Sequence, residues 1–199
     1  MPRLFTGIEI PDDIAQRLSY LRGGLSGARW ISAENYHLTL RFIGDGDMVT
    51  AEAAAEALSR VHRPAFSLRL AGLGTLGTRK PHTVAPEVAA SRPLMELQAE
   101  HKRILQRIGL PAEGRKYTPR VTLARLRGGS PRDIAEYLTL RGGFLADAFP
   151  VERFALFSSR NSVGGGPYVI EQAYDLLPAS PVPGIPPVAA HQEEQWSRN

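Results

Sequence analysis

Strand-like and helix-like segments alternate along this chain without the long apolar runs of a parallel sheet buried on both faces. The segment at about 36–43 shows the pattern. Leu38, Leu40 and Phe42 fall on one face; His37, Thr39 and Arg41 fall on the other. Further strands are expected at about 3–10, 65–71, 82–88, 119–125, 149–158 and 167–177. In the 119–125 strand Arg120 and Thr122 share one face, Val121 and Leu123 the other. Helices are expected after Pro11, with a stripe of Ile14, Leu18, Leu21 and Leu25, then at 48–62, 91–108 and from Ser130-Pro131 to about 141. Amphipathic strands mixed with helices predict an α+β fold with antiparallel sheets.

The 199 residues suffice for one domain or two small lobes with a sizeable core. After Leu177, five prolines fall within ten residues and a polar end follows. Residues 1–177 are therefore read as the domain, and 178–199 as a Pro-rich tail without a core. The first ten residues lack a signal peptide's apolar stretch. No apolar run approaches the roughly 20 residues that span a bilayer. A soluble, cytoplasmic, monomeric protein without membrane contact is expected.

The chain has no cysteine, which excludes disulfides, a thiol nucleophile and sulfur-ligated metal. Acid–base chemistry near neutral pH then leans on five histidines, at 37, 62, 82, 101 and 191. Of the 24 basic residues 21 are arginine, a bias that suits phosphate contacts but is also common in GC-rich genomes. Residues 100–132 hold nine basic and two acidic side chains, against a faintly acidic remainder. A basic segment of this kind points to a polyanionic or phosphorylated partner.

One internal echo stands out. Residues 37–40 read His-Leu-Thr-Leu and residues 120–123 read Arg-Val-Thr-Leu. Alternation alone would produce such an echo in any two half-buried strands. The surroundings are more specific. The stretch Arg29-Trp30-Ile31-Ser32-Ala33-Glu34-Asn35-Tyr36-His37-Leu38-Thr39-Leu40-Arg41-Phe42-Ile43-Gly44-Asp45 resembles the first signature of the 2H phosphoesterases. Within them it is similar to the RNA 2′,3′-cyclic phosphodiesterases, also called LigT-like or 2′-5′ RNA ligase proteins. Thr118-Pro119-Arg120-Val121-Thr122-Leu123-Ala124-Arg125 resembles the second signature, Pro-His-x-Thr-Leu-Ala-Arg. The Leu4-Phe5 strand and Phe154-Ala155-Leu156-Phe157-Ser158-Ser159, followed by glycines and Tyr168, match in the same order.

The resemblance implies two pseudo-symmetric lobes of antiparallel sheet flanked by helices, with one motif per lobe facing a central cleft. It implies hydrolysis of 2′,3′-cyclic phosphates to 2′-phosphates, with 2′-5′ ligation as the formal reverse. The partner would be RNA with a cyclic phosphate end or a small cyclic nucleotide. By the same resemblance His37 is the proton donor, Thr39 and Thr122 orient the phosphate, and position 120 is the proton acceptor. Arg125 and Phe5 are the further substrate-binding candidates. No cofactor is implied, and no metal-ligand spacing is visible.

Two departures matter. The second histidine is Arg120, and a guanidinium stays protonated at any working pH. It can hold phosphate charge but cannot accept a proton. The family's Arg-x-Pro-Arg strand ending in an aromatic reads Arg79-Lys80-Pro81-His82 here, with Ala85 in the aromatic's place. The expectation is therefore a phosphodiesterase impaired at position 120; the alternative is a non-catalytic RNA or nucleotide-phosphate binder using the same cleft. His82 is the one candidate substitute base. Simple alternation puts Arg125 opposite Arg120, so it needs strand twist to reach the site. Arg41 shares His37's face and is a weaker candidate. Trp30 and Tyr36 read as core or stacking residues, and Gly164-Gly165-Gly166 as a hairpin connection or a backbone phosphate contact.

Overall fold

The structure is a computed structural model and describes residues 2–77, 80–114, 116–159 and 166–179. The chain begins with β1 (Arg3–Glu9) and α1 (Asp12–Ser19), whose first turn carries Asp12 and Asp13 against the helix dipole. Ile14, Ala15 and Leu18 are its buried stripe. The helix stops before Leu21 and Leu25, which the spacing had included. Gly23 and Gly24 take φ of 94° and 73°, which ends the helical path, yet Leu25 still reaches the core.

Then come β2 (Ala28–Trp30), a 3₁₀ turn (Ala33–Asn35), β3 (His37–Asp45) and α2 (Met48–Leu58), capped by Asp47. The strand expected at 65–71 is two strands, because the chain changes partner at Arg69. β4 (Phe66–Leu68) pairs with β8 (Phe149–Val151), and β5 (Leu70–Leu76) pairs with β6 (Thr83–Val88). α3 (Arg92–Arg107), capped by Ser91, matches the expected helix. β7 (Ala124–Leu126), α4 (Pro131–Arg141), β9 (Arg153–Ser159) and β10 (Tyr168–Asp175) follow.

Two four-stranded antiparallel sheets result, in the orders β10-β9-β1-β3 and β2-β7-β6-β5. This is the α+β architecture expected. The segment 119–123 is no regular strand, because its backbone serves several neighbours. Arg120 bridges Glu87, Val121 bridges Leu38, Leu123 N–H donates to Val84 O, and Leu123 O accepts from Ile31 N–H. That sharing joins the two sheets at their motif-bearing strands. Among the described residues no helix is long and apolar enough to cross a membrane.

α3 packs against β3 and α2 and meets β1 at Thr6. His101 reaches from α3 into this layer with no exposed surface. Its Nδ1 shares a hydrogen bond with the Thr6 hydroxyl at 2.9 Å, its ring packs edge-on to Phe154, and its Nε2 has no partner. Burial makes the imidazolium costly and lowers the pKa to about 3.

The sign of the resulting pH dependence follows. Between pH 6.5 and about 3 the unfolded chain takes up a proton that folded His101 refuses, so stability falls as pH falls. The loss approaches about 1.4 kcal/mol per pH unit from this one group. Urea unfolding at pH 6 and pH 4 is the check. The Thr6→Val/His101→Leu double variant should lose about 2 kcal/mol less over that interval than the unaltered chain.

Candidate active site

The antiparallel bridge between Leu38 and Val121 lies at the centre of the site. These two residues hold the same place in the two signatures, 83 positions apart. A local two-fold axis therefore passes near the bridge. It sets the His37–Thr39 edge of β3 beside the Arg120–Thr122 segment, running in the opposite direction.

Both signature strands then slip phase at the same point. In β3 the pairing with β1 runs Glu9 to His37, Ile8 to Leu38 and Gly7 to Thr39, then skips to Thr6 with Arg41 and Phe5 with Phe42. Leu40 is the extra residue of a bulge. Leu40 and Arg41 are consequently both buried, at 1% and 3% exposure, and Phe42 turns outward at 51%. This corrects the face assignment made from alternation: Phe42 leaves the Leu38 face, and Arg41 leaves that of His37. The second signature does the same. Leu123 and Ala124 are both fully buried, and exposed Arg125 comes round to the side of Arg120 and Thr122. The extra residue supplies what simple alternation denied Arg125. Gly7 tolerates the packing beside the bulge, since a Cβ there would lie 2.9 Å from Leu38 O.

Thr39, Arg120, Thr122 and Arg125 line one cavity of about 530 Å³, together with Phe42 and Tyr117. His37, two residues before Thr39 on β3, lines a second depression of about 130 Å³ with Glu9, Asp12, Glu34, Asn35 and Tyr168, and the two spaces share no lining residue. The two spaces communicate electrostatically, because the Arg125 charge acts on His37. The His37 ring is seated between Phe5 (4.7 Å between centroids), Phe157 (5.7 Å) and Tyr168 (4.8 Å, edge-on). Its Nδ1 lies 2.9 Å from Asn35 O, so Nδ1–H is the donor and Nε2 is the atom left for chemistry. Asn35 is itself held, its Oδ1 accepting from Tyr168 N–H at 3.0 Å. Burial, helped by the Arg125 charge and opposed by the Asn35 hydrogen bond, lowers the His37 pKa to about 4. His37 is neutral at pH 7 in the ligand-free cleft.

Phe5 is 2% exposed and closed in by His37, Phe42, Phe157 and Tyr168. It backs the histidine and offers no open ring face, in contrast to the direct substrate contact expected of it. Trp30 packs on Tyr137 against the core, and Tyr36 is buried with its hydroxyl unpaired. His82 lines the large cavity beside Thr83, which pairs with Arg125. Arg120 pairs with Glu87, five residues further along β6 and so roughly 16 Å away. His82 thus stands at the Arg125 end, away from position 120. Arg79, Gly164 and Gly165 lie outside the described residues.

The sequence reading missed Glu113, Gly114, Lys116, Tyr117 and Thr118, which wall the cavity. Arg41 holds this wall from below. Its guanidinium donates to Pro111 O and pairs with Glu113 at 3.1 Å. Glu113 also accepts from Phe42 N–H at 3.3 Å, and Tyr117 OH donates to Thr39 O at 3.1 Å. No local pattern announces these contacts, because they depend on the bulge that buries Arg41. Among the described residues no cluster of His, Asp or Glu is arranged to hold a metal.

Comparison with known proteins gives a consistent result. The family model described as LigT like Phosphoesterase matches twice, over residues 8–86 and 84–168. An RNA 2′,3′-cyclic phosphodiesterase of Thermotoga maritima is 30% identical over 175 residues, covering 84% of this chain and 92% of that protein. One of Geobacillus stearothermophilus is 32% identical over 129 residues, which is 61% of this chain but 41% of that protein. The crystal structure of Escherichia coli LigT complexed with 3′-AMP superposes with a TM-score of 0.74 at 25% identity, covering 88% of this chain and 99% of that one.

The neutral state of His37 has a measurable consequence. An anion drawn in by Arg120 and Arg125 stabilises the imidazolium and raises its pKa from about 4. Binding then takes up a proton, so affinity rises as pH falls. Sulfate is a suitable ligand because its charge is constant over this range. Calorimetric titration should show sulfate affinity rising by up to about tenfold from pH 7 to pH 5. In the His37→Gln variant the dependence should flatten.

Proposed function

Because the chain belongs to the LigT-like phosphoesterase family, we propose that it opens 2′,3′-cyclic phosphates, on RNA ends or small cyclic nucleotides, to leave 2′-phosphates. The observation that carries this reading is the antiparallel pairing of the two signature segments about Leu38 and Val121. It gathers two threonine hydroxyls and two guanidinium groups around one cavity, with the His37 imidazole two residues from Thr39 on β3 and within reach of the Arg125 charge.

Each group has a place in the reaction. Thr39 and Thr122 donate to the non-bridging phosphate oxygens. Arg120 and Arg125 hold the phosphate's charge, which grows as water adds to phosphorus. The water oxygen forms a bond to phosphorus in line with the 3′ oxygen, whose bond breaks. Protonated His37 gives its Nε2 proton to that leaving oxygen. The bound phosphate raises the histidine's pKa and so supplies the proton that the empty cleft disfavours. With a ribose 5′ hydroxyl in place of water, the same in-line displacement forms a 2′,5′-phosphodiester while the P–O3′ bond breaks and the 3′ oxygen takes the His37 proton, which is the 2′-5′ ligation chemistry.

The proton released by the attacking water needs an acceptor, and Arg120 cannot be one. It leaves to solvent, which makes hydrolysis slow. That single observation favours a second reading, a nucleotide-phosphate binder that turns over little or nothing.

Hydrolysis of 2′,3′-cyclic AMP separates the two. Restoring an acceptor with Arg120→His should raise the rate by about 10²–10⁴-fold, and His37→Ala in that background should abolish the gain. An unaltered protein already at the speed of Arg120→His would refute the role given to Arg120. Retained nucleotide binding without turnover in Arg120→His would select the binder.

A further inference from the structure

We propose that Asn35 is a positioning residue for His37: its side-chain amide pins Tyr168 edge-on against the imidazole, so that the ring keeps one orientation for proton transfer. The proposal rests on reading His37 as the proton donor.

Among the described residues the His37 ring has one hydrogen bond, from Nδ1–H to Asn35 O at 2.9 Å. A ring tied at one nitrogen still turns about its side-chain bonds, so its direction depends on what packs against it. Phe5 and Phe157 are 2% and 5% exposed on adjacent strands of one sheet, and the core fixes them. Tyr168 differs. It is only half-buried, and it begins β10, the edge strand of that sheet. Its pairing with Ser159 is the last rung of the β9–β10 ladder. Yet its ring stands edge-on to His37 at 4.8 Å and to Phe5 at 5.2 Å.

Asn35 fastens it there. The residue is 8% exposed although it ends in an amide. Its Oδ1 accepts from Tyr168 N–H at 3.0 Å, across 133 positions of chain, and its Nδ2 donates to Glu34 Oε1 at 3.4 Å. The chain just before Tyr168 presses on the same amide. A Cβ on Gly166 would stand 2.2 Å from Oδ1 and 2.6 Å from Nδ2, and Gly166 also has φ of 91°, so only glycine passes there.

One residue therefore holds the imidazole through its main chain and the ring beside it through its side chain. Asn35, His37 and Tyr168 border the same depression, the side on which His37 is accessible. Neither Asn35 nor Tyr168 lines the cavity assigned to the phosphate, so both act through His37. The charged groups around the imidazole are Glu9 of β1, paired with Arg153, then Asp12 of α1, Glu34 of the 3₁₀ turn, and Arg125 of β7. Freeing Tyr168 lets water reach the ring beside three carboxylates, which favours the imidazolium.

The test joins an NMR titration of His37 to the opening of 2′,3′-cyclic AMP, with turnover followed in the Arg120→His background. Asn35→Ala should raise the His37 pKa from about 4 toward the usual 6.5. It should lower kcat about tenfold while KM changes less than threefold. Gly166→Ala disturbs the same contact from the other side and should do the same. Tyr168→Phe should preserve both quantities, because the ring and the main-chain N–H remain. The double variant Asn35→Ala/Tyr168→Ala should be no worse than Tyr168→Ala, since the amide acts through that ring. A His37 pKa unmoved in Asn35→Ala and Gly166→Ala, or losses that add in the double variant, would overturn the positioning role. Absence of turnover in Arg120→His would overturn the proton-donor reading, and the titration would still decide whether Asn35 and Tyr168 hold the ring.

Discussion

The bridge between Leu38 and Val121 is where the two sheets become one site. Each residue is fully buried, so neither can shift without opening the core. Because the bridge is antiparallel and its members are equivalent in the two signatures, it generates the local two-fold. The facing threonines, the imidazole beside one arm and the guanidinium on the other all follow from it. The segment 119–123 gives up ladder regularity to make this junction. Its backbone groups are satisfied by Glu87, Leu38, Val84 and Ile31 in turn.

The phase slip after each motif is the second constraint. One added residue per strand returns the fifth side chain to the cavity side. It makes Phe42 and Arg125 wall residues and sends Arg41 inward to anchor Pro111 and Glu113. A buried guanidinium without Glu113 and Pro111 would be untenable, so the wall's position and the arginine's burial are one arrangement. The two halves thus share a plan and differ in chemistry. Phe42 in one signature answers to Arg125 in the other, both on the cavity wall, and His37 in one answers to Arg120 in the other.

Half-buried His37 and fully buried His101 are both held neutral by desolvation, to different effect. His101 has no exposed surface and acts only through stability. His37 lines an open depression and feels the Arg125 charge, so an anion held by Arg125 can offset the desolvation and restore its proton. The contrast lies in what each ring faces, since both sit on regular elements and both are bonded through Nδ1.

Much of this was legible from residue order. The two motifs, the helix cap at Ser130, the amphipathic strands and the substitution at position 120 are local facts, because each depends on neighbours within a few residues. Tertiary structure decided the rest. It set which way Arg41 and Phe42 face, that Arg125 reaches the cavity, that Phe5 is covered, and that Glu113 and Tyr117 stand in its wall. Alternation predicts faces only while a ladder stays in register, and a bulge is created by the partner strand as much as by the strand that carries it. The sequence determined which chemical groups were available; the register between strands distant in the chain determined which of them meet.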